Sequence, residues 1–251
     1  MTADRLSSDL VMRVRILIVV FAVVSAAIFA FAALASAEDV SLTCPVDGTA
    51  VTGHVVNEFH SSGVDTDFAY LGASADYYQR IIATCGTCGY SGYVEDFAPA
   101  TATLPDAVKK DILRKFASRF PVSAMKPWDR YEAMALAYTW RGKPADEIAN
   151  AYLRATYTMR NVKKGDALKK RERELRGEAI EHLRIAIREA KISLAQLPQA
   201  TYLIGELHRR NEEYDRAVAS FQDAERLIHR PEWLDKLIEK QSEKAREKRS
   251  D

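Results

Sequence analysis

Cys85-Gly-Thr-Cys88-Gly89 carries two thiols three positions apart with a glycine behind them, and about 40 residues earlier Cys44-Pro-Val-Asp47-Gly48 repeats the layout with a carboxylate in place of the second thiol. Donors at this spacing grip one ion because a tight turn folds between them. Structural zinc takes four tetrahedral ligands, mostly thiolates and imidazoles and less often carboxylates. The expected site is therefore a structural zinc held by Cys44, Asp47, Cys85 and Cys88. Three thiolates and one harder carboxylate would bind more weakly and exchange more readily than four thiolates. His54 or His60 in place of Asp47 is an alternative. So is a Cys85–Cys88 disulfide that leaves Cys44 free, since the chain has three cysteines and an exported protein meets an oxidising compartment.

Other chemistry has less support. A Cys-x-x-Cys redox catalyst keeps its first cysteine at a helix N-terminus. Here Gly89, Ser91 and Gly92 follow at once, and no strand–helix–strand pattern surrounds the pair. There is no Gly-x-Ser-x-Gly and no phosphate-binding glycine loop. Asp65, Asp67, Asp76, Glu95 and Asp96 lack calcium-loop spacing and read as a solvated acidic surface. Tyr77, Tyr78, Tyr90 and Tyr93 read as packing for the knuckle-bearing segment. His182, His208 and His229 are expected in helices, far from any nucleophile. The chain is read as non-enzymatic.

The elements that would position the knuckles are short. Residues 38–104 hold seven of the eleven glycines, set among β-prone pieces such as "AVTGHVVNEF" and "YYQRIIAT". Turn residues between short apolar runs predict small strands and loops, a segment that needs a staple to keep its shape. From Pro105 the periodicity becomes helical. "PDAVKKDILRKFASRF" opens with a helix-start signal, and Val108, Ile112, Leu113 and Phe116 recur at helical spacing. "YLIGELHRRNEEYDRAVASFQDAERL" then places Gly205 on one helix and Ala217, Phe221 and Ala224 on the next. Small residues at such positions let two antiparallel helices approach closely, in the manner of a tetratricopeptide repeat. "YEAMALAYTWRGKPADEIANAYLRA" repeats the plan, and "RGEAIEHLRIAIREA" supplies the second-helix pattern again. Three degenerate repeats are expected over 105–230, although their spacing does not match a strict 34-residue period. Residues 231–251 begin with Trp233, Leu234, Leu237 and Ile238 and then turn polar. That suits a capping helix whose last ten residues fray.

Arg13 and Arg15 precede an apolar run from Ile16 to Leu34, followed by Ala35-Ser36-Ala37. This is the layout of a secretory signal peptide over residues 1–37. The run is also long enough to stay as a membrane anchor. Export to the periplasm or cell surface is expected, or inner-membrane anchoring by residues 16–34. The net charge of +1 hides an asymmetry: residues 38–105 hold nine acidic residues and one basic, and residues 106–251 hold 24 acidic and 32 basic. The basic half alternates its charges along helices, which argues against nucleic acid as a partner.

The run CPVDG, then Asp65-Thr-Asp67-Phe68, then "ADYYQRIIATCGTCGYSGYVEDF" and repeat helices resembles the bacterial domain of unknown function 2225, from about residue 42 to 230. The resemblance rests on Cys44, Pro45, Gly48, Asp65, Asp67, Phe68, Tyr78, Cys85, Cys88, Gly89, Tyr90, Asp96 and Phe97. It departs at Asp47, where that family has cysteine, and at Gly86, where it has proline. The family has no established activity, so the resemblance implies an architecture and no reaction. The sequence as a whole predicts an α+β chain, a small zinc-ribbon-like β domain followed by a tetratricopeptide-like helical array. The expected function is a scaffold or adaptor that binds a protein or peptide. The rival is a thiol-dependent redox or metal-handling protein that uses Cys85 and Cys88.

Overall fold

Short apolar runs broken by turn residues give strand pairs in the first part of the chain, and long helical periodicity gives helices in the second. The computed structural model describes residues 37–57, 59–72, 77–98 and 103–250. The apolar run from Ile16 to Leu34 and most of the proposed cleavage junction lie outside these residues. Among the described residues no helix is long and apolar enough to cross a membrane.

Strands β1 (Ala37–Thr43) and β2 (Ala50–Val56) pair antiparallel, with Thr43 opposite Ala50. Strands β3 (Gly63–Val64) and β4 (Tyr70–Leu71) form a second pair. Strands β5 (Ala83–Thr84) and β6 (Ser91–Gly92) form a third, with Thr84 opposite Ser91. The stretch expected as one strand, Tyr77 to Thr84, is instead a short helix α1 (Tyr77–Arg80) followed by β5. Tertiary contacts account for the change. The Tyr78 carbonyl accepts from the Tyr131 hydroxyl at 2.5 Å, and the Tyr78 hydroxyl accepts from the Tyr70 amide at 2.9 Å.

The helices follow: α2 (Asp106–Arg119), α3 (Pro127–Trp140), α4 (Ala145–Thr158), α5 (Asp166–Arg188), α6 (Leu197–Arg210), α7 (Tyr214–Arg226) and α8 (Glu232–Arg246). Helix α2 starts directly after Pro105, a residue suited to a helix N-terminus, and buries Val108, Ile112 and Phe116. Leu113, expected on the same face, is exposed. Helices α3 to α5 pack in succession, as do α6 to α8. Helix α5 is one unbroken 23-residue helix, so the middle repeat expected from sequence has no hairpin of its own. In the α6–α7 hairpin the close approach is real: a Cβ on Gly205 would sit 2.6 Å from Cδ1 of the Phe221 ring. Helix α8 runs to Arg246 and buries Gln241, Ser242 and Ala245, so part of the stretch expected to fray is packed. His229 lies in the bend between α7 and α8, not in a helix.

Residues from Ala37 onward make one compact unit. One core joins Cys44, Cys85, Cys88, Tyr90 and Phe97 to Ile112, Phe116 and Phe120. A second joins Ala69 and Ile82 to α3–α6, and a third gathers Tyr202, Phe221, Leu234 and Ile238. The knuckle-bearing segment therefore shares its apolar interior with the helices.

Candidate metal centre

The two knuckles are the same turn built twice. In the first, Cys44 N donates to Thr49 O at 2.8 Å and Gly48 N to Cys44 O at 2.9 Å. In the second, Cys85 N donates to Tyr90 O at 2.8 Å and Gly89 N to Cys85 O at 3.1 Å. Gly48 and Gly89 both have φ of +76°, a left-handed conformation that glycine adopts without a Cβ penalty. The turn closes a hairpin in each case, β1–β2 and β5–β6, so each hairpin presents its first and fourth turn residues to the same side. Asp47 thus holds the place in the first knuckle that Cys88 holds in the second.

The two turns face each other. Thr49 Oγ1 donates across to Thr87 Oγ1 at 3.2 Å. Ligand atoms of Cys44, Asp47, Cys85 and Cys88 all lie within 4.8 Å of one another. Cys44 Sγ is 3.6 Å from Cys88 Sγ, and Cys85 Sγ is 3.5 Å from Asp47 Oδ2. A tetrahedron with metal–sulfur bonds of about 2.3 Å has edges of about 3.8 Å, near the two shortest of these separations. All three cysteines are free and buried, whereas Asp47 is exposed. His54 is engaged elsewhere, its Nδ1 2.6 Å from Asp39 Oδ1, and neither it nor His60 belongs to the cluster.

Cys44 and Cys88 share a proton: hydrogen bonding from Cys88 lowers Cys44 to about 7, and the same bond, with burial, pushes Cys88 up. Burial raises Cys85 as well. Burial also works against the Asp47 carboxylate, but hydrogen bonds led by the Thr49 amide outweigh it and hold it below the usual range. A bound metal would displace the remaining thiol protons.

Sequence reasoning missed a second constellation. Of the acidic residues expected as a solvated surface, Glu95 is exposed, but Asp67 and Asp96 are buried and Asp65 half-buried against arginines. Asp65 and Asp67 both pair with Arg160, and Asp65 also pairs with Arg210 at 3.1 Å. The loop between them is fixed further by Thr66 Oγ1 donating to Glu206 Oε1 at 2.5 Å and by the Tyr202 hydroxyl donating to Thr66 O at 2.8 Å. Glu206 is fully buried and takes Arg209 at 2.8 Å. Asp96 is buried, pairs with Arg141 at 2.9 Å and accepts from the Tyr138 hydroxyl at 2.5 Å. Asp76 lies outside the described residues. The signal in sequence was the charge asymmetry: the acidic segment meets the basic one through specific pairs. The tyrosines likewise pack across that boundary, with Tyr78 and Tyr93 against the helical core and Tyr90 in the knuckle core.

No curated protein and no solved structure matches the chain. The sequence pattern of one family, described as "Uncharacterized protein conserved in bacteria (DUF2225)", matches residues 39–250. The chain belongs to the DUF2225 family.

Proposed function

We propose that Cys44, Asp47, Cys85 and Cys88 hold a structural zinc ion, that the knuckle segment is a zinc-ribbon-like unit, and that the helices behind it form a degenerate tetratricopeptide-like scaffold for a protein or peptide partner. The observation that carries this reading is the convergence of two equivalent turns, which sets four ligand atoms within 4.8 Å of one another. In this reading the metal acts by tying two hairpins together and the protein has a non-enzymatic role. Small strand pairs of two to seven residues bury too little apolar surface to hold their own shape, and a metal clip is the usual remedy. For the scaffold, the support is the Gly205–Phe221 approach and the succession of packed helices. Export, through the apolar N-terminal run, belongs to the same proposal, with retention of that run as a membrane anchor as its variant.

The rival reading, a thiol-dependent redox or metal-handling protein that uses Cys85 and Cys88, draws on these two free thiols lying within 4.8 Å of each other. Metal analysis of native protein, paired with titration of free thiols before and after denaturation, separates the two. One zinc per chain, with all three thiols recovered after chelation, is the expected result. A metal-free protein with a reducible disulfide contradicts the structural zinc and favours the rival.

A further inference from the structure

A cavity of about 540 Å³ opens between α4, α6 and α8, within the size range of small-ligand and peptide-anchor sites. Its walls are aromatic: Phe68, Tyr70, Tyr78, Tyr157 and Trp233 line it, and Tyr70 and Trp233 are 40% and 49% exposed. Arg154 of α4 lines the same cavity. The guanidinium stands 5.1 Å from the centroid of the Tyr93 ring.

Arg154 differs from the other arginines that reach into this part of the fold. Arg141, Arg160, Arg176, Arg209 and Arg210 each meet a carboxylate. Among the described residues Arg154 has no carboxylate within ion-pair distance, and its guanidinium lies against the Tyr93 ring. A largely desolvated cation without an anion is costly, and folds rarely keep one without a use. Guanidinium is also the side chain best shaped to take a carboxylate through two parallel hydrogen bonds. Lys191 sits on the same rim, exposed and without an ion pair among the described residues. Asn150 and Gln199 add side-chain amides to the lining, groups that pair with peptide bonds. Asp146 lies two turns before Arg154 on α4, about 12 Å away along the axis. Its Oδ1 has no hydrogen-bond partner among the described residues. About four extended residues cover that distance.

We propose that this cavity binds the C-terminal end of a peptide, with the terminal carboxylate on Arg154, an apolar last side chain against Phe68, Tyr78 and Trp233, and backbone amides directed toward Asp146. The assignment rests on the scaffold reading above and names the chemistry of its partner. A free aromatic acid shares the carboxylate but not the peptide groups, so the two sources differ in affinity.

The test uses the full chain in its metal-loaded form and three fluorescein-labelled pentapeptides of alanine ending in phenylalanine, leucine or tryptophan, read by fluorescence anisotropy. The same peptides with an amidated C-terminus remove the carboxylate without touching the protein. Amidation is expected to weaken binding by about tenfold or more, the worth of a charge-assisted hydrogen-bond pair. Arg154→Met, checked for an unchanged far-ultraviolet spectrum, should lower affinity for the free acid and abolish the difference between acid and amide. N-acetylphenylalanine should compete about tenfold more weakly than the pentapeptide. Equal binding of acid and amide, lost in Trp233→Ala, overturns the carboxylate site and leaves the scaffold reading standing. Equal competition by N-acetylphenylalanine overturns the peptide as the source. No binding of any of the peptides overturns the proposal, and the scaffold reading is then judged by whether the helical region binds any folded partner.

Discussion

The knuckle segment and the helical hairpins reach order by different routes. Strands β1 and β2 have seven residues each and the other strands two, while the helices from α2 to α8 run 13 to 23 residues. The helices bury large side chains against one another: Tyr131, Phe116, Phe221 and Leu207 are almost wholly enclosed. Each such side chain contributes roughly 1.5–3 kcal/mol on burial, so the helical part accumulates stability from many apolar contacts. In the knuckle segment Cys44, Cys85, Cys88 and Tyr90 occupy the centre of the core, and Asp65, Asp67 and Asp96 fasten its loops to arginines of the helices. Isolated two-stranded hairpins are at best marginal in water. The difference teaches that the helical region is held by packing, whereas the knuckle segment adds ion pairs, and in the proposed reading a metal, to the apolar core it shares with the helices.

The largest effect should come from the proposed metal fastener. Binding free energy of a structural zinc is folding free energy, about 10–16 kcal/mol in zinc-finger peptides at neutral pH. Chelation, or Cys85→Ser, should abolish amide-exchange protection in Thr43–Val56 and Ala83–Gly92 while α6 and α7 stay protected. Uniform loss of protection over the whole chain would erase the distinction between the two regions. Second in size are the buried ion pairs. Arg141→Met leaves Asp96 buried without its cation and should cost about 3–5 kcal/mol in denaturant unfolding, whereas the exposed pair Arg226–Asp223 should cost less than about 1 kcal/mol when broken. Equal costs would show that Asp96 is not a fastener. Third is packing in the hairpin. Gly205→Ala forces a methyl onto the Phe221 ring and should cost about 1–3 kcal/mol, with no effect on metal content. Loss of zinc in that variant would couple regions that the comparison treats as separately held.

The smallest effect concerns pH. Burial lowers the His208 imidazole; the Glu213 carboxylate, 2.5 Å from Nδ1, opposes this, but Arg184 donates to Nε2 and helps keep the ring neutral. An imidazole with a lowered folded pKa leaves stability level above its unfolded value of about 6.5 and erodes it as pH falls below. Glu206 behaves as a depressed carboxylate: burial alone would raise it, but Arg209 and Arg210 pull it below its ordinary value of 4.5. Its contribution is present above pH 4.5 and is lost as pH falls through the lowered value. Amide exchange in α6 should therefore show two steps on acidification, and His208→Gln should remove only the first. A single step below pH 4.5 in the unmodified protein would contradict the role given to His208.

Local chemistry was legible in the sequence and long-range pairing was not. The knuckles could be read because a tight turn writes its ligands and its left-handed glycine into five consecutive residues, as in Cys44 to Gly48 and Cys85 to Gly89. Gly205, Ala217 and Phe221 could be read because helix contact follows the 3.6-residue period. Asp67 could not be assigned to Arg160, 93 residues away, since no periodicity encodes that distance and an isolated acidic residue is more often solvated. The expectation of a strand over Tyr77–Arg80 fails because the turn's conformation is settled by contacts outside it, with Tyr70 eight residues away and Tyr131 53 residues away. Arg154 gave no sign in sequence of lacking a carboxylate among the described residues, which is a property of what the fold places around it.

X-ray absorption at the zinc edge of the native protein is the most direct measurement of the central claim. The account predicts one zinc per chain with three sulfur neighbours at about 2.3 Å and one oxygen at about 2.0–2.2 Å, the oxygen replaced by sulfur in Asp47→Cys. A zinc surrounded by nitrogen and oxygen alone, or a spectrum unchanged by Asp47→Cys, would contradict it.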